Sequence, residues 1–186
     1  MIVLCSGSPR RKSLLESLGL TFTTCRPEVN EEYIPGETPE QYTIRLARSK
    51  SEAGALKFPS DVIISADTVV VIDGEILGKP SDREDAVRML KKLSGRAHEV
   101  ITGLAVHGRN FHVKAVHTLV KFRNLTDDEI SAYVMTGECD DKAGAYAVQG
   151  KGSLLIEGIN GDYYNVVGLP LCTLHEILRL EGINLL

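Results

Sequence analysis

DVIISADTVVVIDGEILGKP, residues 61–80, decides how the chain is read. It opens on Val62, Ile63 and Ile64, apolar without alternation, as in a strand covered on both faces. It continues through Asp67 and Thr68 into four more apolar residues and reaches Asp73-Gly74, a dipeptide suited to a two-residue hairpin loop. With that turn Ile72 pairs with Glu75, and strict register sets Thr68 opposite Lys79. A covered strand followed by an antiparallel return predicts a mixed sheet. Asp67 is anomalous there, because a carboxylate on a buried strand must be hydrogen-bonded, paired with a cation or placed at a site. A bulge at Gly78 would change the face that Lys79 takes. An ion pair closing the hairpin end and a site for a hydrated cation and phosphates are therefore both compatible with the residues.

Outward from this hairpin, strand-like and helix-like segments alternate. IVLC (2–5), TFTTC (21–25), HEVITGLAV (98–106) and HVKAVHTLVKF (112–122) read as strands, and 143–156 as a glycine-rich strand region. Helices are predicted over 9–19, 39–56, 82–93, 127–135 and 170–181, and His107-Gly108 marks a second hairpin. Ser81 with Glu84 and Thr126 with Glu129 have capping-box spacing, and Gly182 stands where the last helix should stop. The fold class is α/β with a mixed sheet. No repeat or linker interrupts residues 1–186, so one domain is expected.

Bulk properties narrow the partners. A formal charge of -4 provides no long-range attraction to a nucleic-acid backbone. No charged-then-apolar leader occurs, and no apolar run approaches the roughly 20 residues needed to cross a bilayer, so a cytoplasmic protein is expected. Cys5, Cys25, Cys139 and Cys172 form no C-x-x-C pair and are expected as buried, reduced thiols. The five histidines lack metal-ligand spacing.

Three further segments carry candidate chemistry. In SGSPRRKSLL (6–15), Pro9 suits a first helical position and Leu14, Leu15 and Leu18 form a stripe. A helix N-terminus attracts anions, and an arginine adds a bidentate fork; Arg11 shares the face of Leu15 and Leu18, whereas Arg10 turns away. The stretch is not a Walker A loop. On PEQYTIRLARSKSEAGALK (39–57), Lys50 falls on the inner stripe of Tyr42, Leu46 and Ala53. Arg11, Lys50 and Lys79 thus point inward from separate segments. In DKAGAYAVQGKG (141–152), Lys142, Tyr146 and Gln149 sit among small residues, and the Gln149 amide can pair with a pyrimidine edge.

SGSPRRKSLL, PEVNEE, RLARSK, SADTVVV, LGKP, LSGRAHEVITG, DKAGAYAVQG and NVVGLPL occur in this order along nearly the whole chain. Together they resemble the Maf family of nucleotide pyrophosphatases. The resemblance implies a two-lobed α/β fold around a mixed, bent sheet, similar to inosine triphosphate pyrophosphatases. It implies hydrolysis of a nucleoside triphosphate between the α and β phosphates with Mg²⁺ or Mn²⁺. The SPRR, DTVV and DKAGAYAVQG forms are similar to the branch acting on dTTP and UTP, and modified pyrimidine triphosphates fit the same role of clearing unwanted nucleotides.

Carried over by resemblance, Asp67 is the general base. Ser8, Arg11, Glu31, Lys50 and Lys79 surround the phosphates and metal, with Glu31 and Asp67 as metal ligands. Arg11, Thr68 and Gln149 set base preference. Asn30, where an aspartate is frequent, and Cys139, where a proline or tryptophan is expected, depart from the pattern. A homodimer is compatible with the resemblance, and no segment marks its interface. Two other readings stay open at this point: a nucleotide-binding transferase, and a non-catalytic nucleotide-binding regulator linked to septum formation.

Overall fold

The computed structural model describes all of residues 1–186. Its seven-stranded mixed sheet has the order β2-β1-β3-β5-β6-β7, with β4 added to β3. The strands are β1 (Ile2–Cys5), β2 (Phe22–Cys25), β3 (Val62–Ile72), β4 (Glu75–Leu77), β5 (Ala97–His107), β6 (Phe111–Phe122) and β7 (Ile156–Asn160). The helices are α1 (Pro9–Ser17), α2 (Pro39–Lys57), α3 (Arg83–Leu93), α4 (Asp127–Met135), α5 (Tyr163–Val167) and α6 (Leu171–Leu180). The chain divides into two compact units. One comprises Met1–Asp67, Thr102–Val116 and Gly168–Leu186; the other comprises Thr68–Ile101 and His117–Val167.

In the first unit β1 runs parallel to β2 and to β3, with Val3, Leu4, Ile63 and Ile64 fully buried. Each such side chain contributes about 1.5–3 kcal/mol relative to exposure. Helix α2 starts at a complete capping box, Thr38 with Gln41. It lies close against the sheet because two glycines leave room: a Cβ at Gly54 would overlap Cys5 Sγ and Ile63 Cγ2, and one at Gly103 on β5 would overlap the Thr43 carbonyl. Ser65 Oγ, buried on β3, donates to the Ala47 carbonyl at 2.7 Å and ties the helix to the strand at that point. This docking brings the buried face of α2, which carries Lys50 among Leu46, Ala47 and Gly54, against the sheet.

Cys5 and Cys25 are joined in a disulfide, contrary to the expectation of reduced thiols. They are register partners on neighbouring parallel strands, with Cα atoms 4.7 Å apart, a proximity that local spacing does not reveal. Cys139 is free and buried as expected, whereas Cys172 is free and exposed. Leu18 also departs from expectation: α1 ends at Ser17, and Leu14 and Leu15 are buried while Leu18 is not.

The second unit is built on the predicted hairpin. Ile72 pairs with Glu75 and Val70 with Leu77, where β4 stops. Thr68 and Lys79 therefore do not become ladder partners, and the Gly78 carbonyl instead accepts from the Gly144 N–H at 3.0 Å. Helix α3 buries Ala86, Met89, Leu90 and Leu93, spaced as one helical face, into a core with Val70, Leu77, Phe122, Ile130 and Tyr146. Its N-cap is Asp82, which accepts from Asp85 N at 2.8 Å, one residue after the predicted Ser81. The capping box at Thr126 and Glu129 forms as read. The glycine-rich region is not a strand: Gly144 and Gly150 have φ of 68° and 66°, and they sit in short 3-10 turns over Ala143–Ala145 and Gly150–Leu155. Tyr146 joins the core and donates or accepts at His98 Nε2 over 2.8 Å, so it is not a ligand-facing residue.

Candidate active site

Asp67 ends the first unit's share of β3, and its side chain is 14% exposed. Helix α2 supplies its cation. Lys50 Nζ lies 2.7 Å from Asp67 Oδ1 and 2.7 Å from Glu31 Oε1, so two carboxylates converge on one ammonium group. The lysine is itself 9% exposed, and its inward position on the α2 stripe is as the sequence predicted. Burial pushes the Asp67 carboxyl above its ordinary range. The attraction and hydrogen bond of Lys50 and the charge of Arg11 pull it back without cancelling the rise, and Glu31 adds to it.

Arg11 approaches from α1. Ser8 caps that helix, with its side chain facing the Arg11 N–H, and Pro9 occupies the first turn as predicted. The guanidinium is held from behind: Nε donates to the Gly168 carbonyl at 2.7 Å and Nη1 to Ser6 Oγ at 3.2 Å. Ser6 Oγ also accepts from Ser8 N at 3.1 Å, tying the turn to the arginine. Burial lowers the Arg11 pKa, with Asp67 and Glu31 acting in the opposite direction and Arg10 in the same one. Sequence reasoning missed Ser6 and the Gly168 carbonyl as partners. The only signal for the second was the glycine in NVVGLPL, whose φ of 119° few other residues adopt.

The remaining candidates belong to the second unit. Thr68 follows Asp67 directly on β3. Lys79, expected to point inward, is instead exposed just beyond β4, where the ladder has already ended, and Gln149 is exposed at the start of a 3-10 turn. Two backbone N–H groups of that turn, those of Lys151 and Gly152, donate to the Glu138 carboxylate at 3.0 and 3.1 Å. The neighbouring Ala147 N–H donates to Tyr133 Oη at 3.1 Å. The Gln149 backbone is therefore fixed by two side chains of the α4 region. Asn30, the departure from the usual aspartate, closes an Asx turn by accepting from Glu32 N at 2.9 Å.

The donor set suits a hard divalent cation. No group of three or more His, Cys, Asp or Glu converges in the structure; Glu31 and Asp67 supply two carboxylates, each 2.7 Å from Lys50 Nζ, which is seated between them. Mg²⁺ commonly uses one or two carboxylates, completing its shell with water and substrate phosphates. Glu31 and Asp67 fit that requirement.

A family model described as Maf-like protein matches residues 1–181. The dTTP/UTP pyrophosphatase of Geobacter sulfurreducens is 54% identical over 184 residues, covering 97% of this chain and 96% of that protein. The dTTP/UTP pyrophosphatase of Symbiobacterium thermophilum is 48% identical over 182 residues, covering 97% and 94%. Among solved structures, the Ham1 protein of Staphylococcus aureus aligns with a TM-score of 0.46 at 18% identity, covering 68% of this chain and 72% of that one. With a family match over almost every residue and half-identical relatives along its full length, this chain belongs to the Maf family.

Proposed function

We propose that this protein hydrolyses dTTP and UTP to the corresponding monophosphate and pyrophosphate, as one domain spanning 1–186. The observation that carries the reading is the meeting of Asp67 and Glu31 at Lys50, close to the half-buried Arg11. It is supported by relatives of about half identity that bear the name dTTP/UTP pyrophosphatase.

In this reading Arg11 and the N-terminus of α1, capped by Ser8, bind phosphate oxygens. Asp67 accepts a proton from the attacking water as its oxygen bonds to the α phosphorus and the bond to the bridging oxygen breaks. Lys50 keeps Asp67 oriented and, with Lys79, offsets the negative charge that collects on the departing pyrophosphate. Mg²⁺ or Mn²⁺, held by Glu31 and Asp67, would acidify the water and neutralise phosphate charge. Thr68 and Gln149 read the base, the amide pairing with the carbonyl and N–H edge shared by uracil and thymine.

The test is product analysis from dTTP, UTP, CTP, ATP and GTP with either metal. Monophosphate and pyrophosphate from dTTP and UTP, with little from the purine nucleotides, is the expected outcome. Nucleotide binding without turnover would overturn the enzymatic reading and favour a non-catalytic regulator. Nucleotide consumption that requires an acceptor would favour a transferase.

A further inference from the structure

Glu31 lies on a segment that has little reason to be ordered. Residues 26–38 contain no helix or strand, and Tyr33 and Ile34 are 51% and 50% exposed, so no buried side chain of either anchors it. It also carries Glu28, Glu31, Glu32 and Glu37 without an opposing cation between 27 and 44. Ordering such a stretch costs roughly 1–2 kcal/mol per residue of backbone entropy, and its own charges repel. Local turns at Asn30 and between Ile34 and Glu37 shape it in part, and the rest must be imposed from outside.

Helix α2 does this with two residues placed before Lys50. Tyr42 Oη donates to the Glu31 carbonyl at 2.8 Å, and Arg45 Nη2 donates to the Glu32 carbonyl at 2.9 Å. The same Nη2 donates to Glu37 Oε2 at 2.8 Å, and Arg45 Nε donates to the other oxygen. Glu37 passes the constraint back to the loop by accepting from Ile34 N at 3.2 Å. The guanidinium carbon also stands 5.4 Å from the centre of the Tyr42 ring, which holds the two α2 side chains together. Arg45 keeps Glu37 below the usual carboxylate range through this hydrogen-bonded pair. Both ends of the Glu31–Glu37 segment are thus fastened to one helix, and Glu31 extends from the fastened backbone to Lys50 on the same helix.

We propose that Tyr42, Arg45 and Glu37 form a positioning unit, which holds the Glu31 carboxylate at Lys50 by gripping its backbone and so sets the affinity of the site for its divalent cation. The inference rests on Glu31 being a metal ligand of a nucleotide site. None of the three is a catalytic residue: they act through Glu31. Outer residues that orient a metal ligand typically change metal affinity by 10- to 100-fold when removed.

The experiment compares wild type with Arg45→Gln, Glu37→Gln and Tyr42→Phe. Mn²⁺ is titrated calorimetrically into protein with α,β-imido-dTTP bound, and amide exchange is followed over residues 31–37. Arg45→Gln and Glu37→Gln are expected to weaken Mn²⁺ roughly tenfold or more and to speed exchange in that segment. At saturating Mn²⁺, kcat should fall by less than the affinity does. In a Glu31→Gln background Arg45→Gln should add less than about twofold, since its route of action has already gone. The exchanged pair, Glu37→Arg with Arg45→Glu, should recover part of the affinity.

Should Arg45→Gln melt far below wild type, Tyr42→Phe supplies the same readouts through a single lost hydrogen bond. Unchanged Mn²⁺ affinity and exchange in folded variants would overturn the proposal, as would a full additional loss in the Glu31→Gln background. A wild type that neither binds the analogue with Mn²⁺ nor turns over dTTP would instead overturn the nucleotide reading, so the two failures are distinguishable.

Discussion

Glu181 and Asp67 are both carboxylates withdrawn from water in the first unit, with side chains 0% and 14% exposed. Around Glu181 the fold supplies N–H donors. Its oxygens accept from Arg109 N at 2.6 Å, Asn110 N at 3.2 Å and Asn110 Nδ2 at 3.2 Å, and His112 Nε2 lies at 2.9 Å. Burial alone would raise its pKa, but the hydrogen bonds from His112, Arg109 and Asn110 outweigh burial and lower it. Around Asp67 the hydrogen bond comes from a long-stemmed cation, Lys50, and burial wins, so the pKa rises. A carboxylate saturated with backbone donors is a fastening, here of the turn between β5 and β6. One raised in pKa and held by a lysine keeps basicity and lone pairs for chemistry.

The largest effect that can break this contrast is on turnover. Asp67→Asn should lower kcat with dTTP by roughly 10²–10⁴-fold, the usual consequence of losing a general base, while its melting temperature stays near that of wild type. Glu181→Gln should do the reverse. Its activity per folded molecule should be retained, and its stability should fall by about 2–3 kcal/mol because an amide cannot accept from all of these donors. Steady-state rates beside thermal melts decide the matter; equal rates in wild type and Asp67→Asn would remove Asp67 from the chemistry.

How much of this contrast was legible in the sequence depends on distance along the chain. Asp67 stood out because a carboxylate interrupts an apolar strand, and Lys50 because it falls on an apolar helical stripe; both signals are local. Their pairing was not legible, since hairpin register pointed to Lys79, whereas the structure brings a helix across β3 by way of Gly54 and Gly103. The register of Ile72 with Glu75 followed from a two-residue turn, but the end of the ladder at Leu77 depended on a contact with Gly144. Arg11 reaches a carbonyl 157 residues away, and Glu181 caps a turn some 70 residues before it. No periodicity records such contacts. The Cys5–Cys25 bridge was missed for the same reason, because it depends on which strands become neighbours.

That bridge extends the comparison and gives the next effect in size. The turn leading to Ser8 and Arg11 leaves β1 at Cys5, and the segment leading to Glu31 leaves β2 at Cys25, so the site's two loops are joined covalently at their roots. The turn held by Glu181 is joined only by hydrogen bonds. Closing a loop of about 20 residues removes about 3 kcal/mol of chain entropy from the unfolded state. Reduction, or Cys25→Ser, should therefore lower the melting temperature by about 6–12 °C at this chain length. Identical melts with and without reductant, in protein shown by mass to carry the bridge, would contradict this.

The smallest effect separates burial from pairing. His98 is 2% exposed, stacks edge-on against Phe122 and Tyr146, and faces no carboxylate; its Nδ1 has no partner. The desolvation that raises Asp67 lowers His98, to about 4, because in an acid the charged form is the deprotonated one and in a base it is the protonated one. Folded His98 therefore stays neutral at a pH where the unfolded chain, with a pKa near 6.5, takes up a proton. Excess protons on the unfolded state mean that stability is full above 6.5 and drains as pH falls toward 4, by about 2 kcal/mol at pH 5. His98→Phe with Tyr146→Phe removes the titrating ring and its hydrogen-bond partner together, so no polar atom is stranded. Urea melts from pH 7 to pH 4 should show wild type losing about 2 kcal/mol more than this double variant by pH 5. Parallel decline of the two proteins would mean that the acid sensitivity lies in the carboxylates, and that His98 is not held neutral by burial.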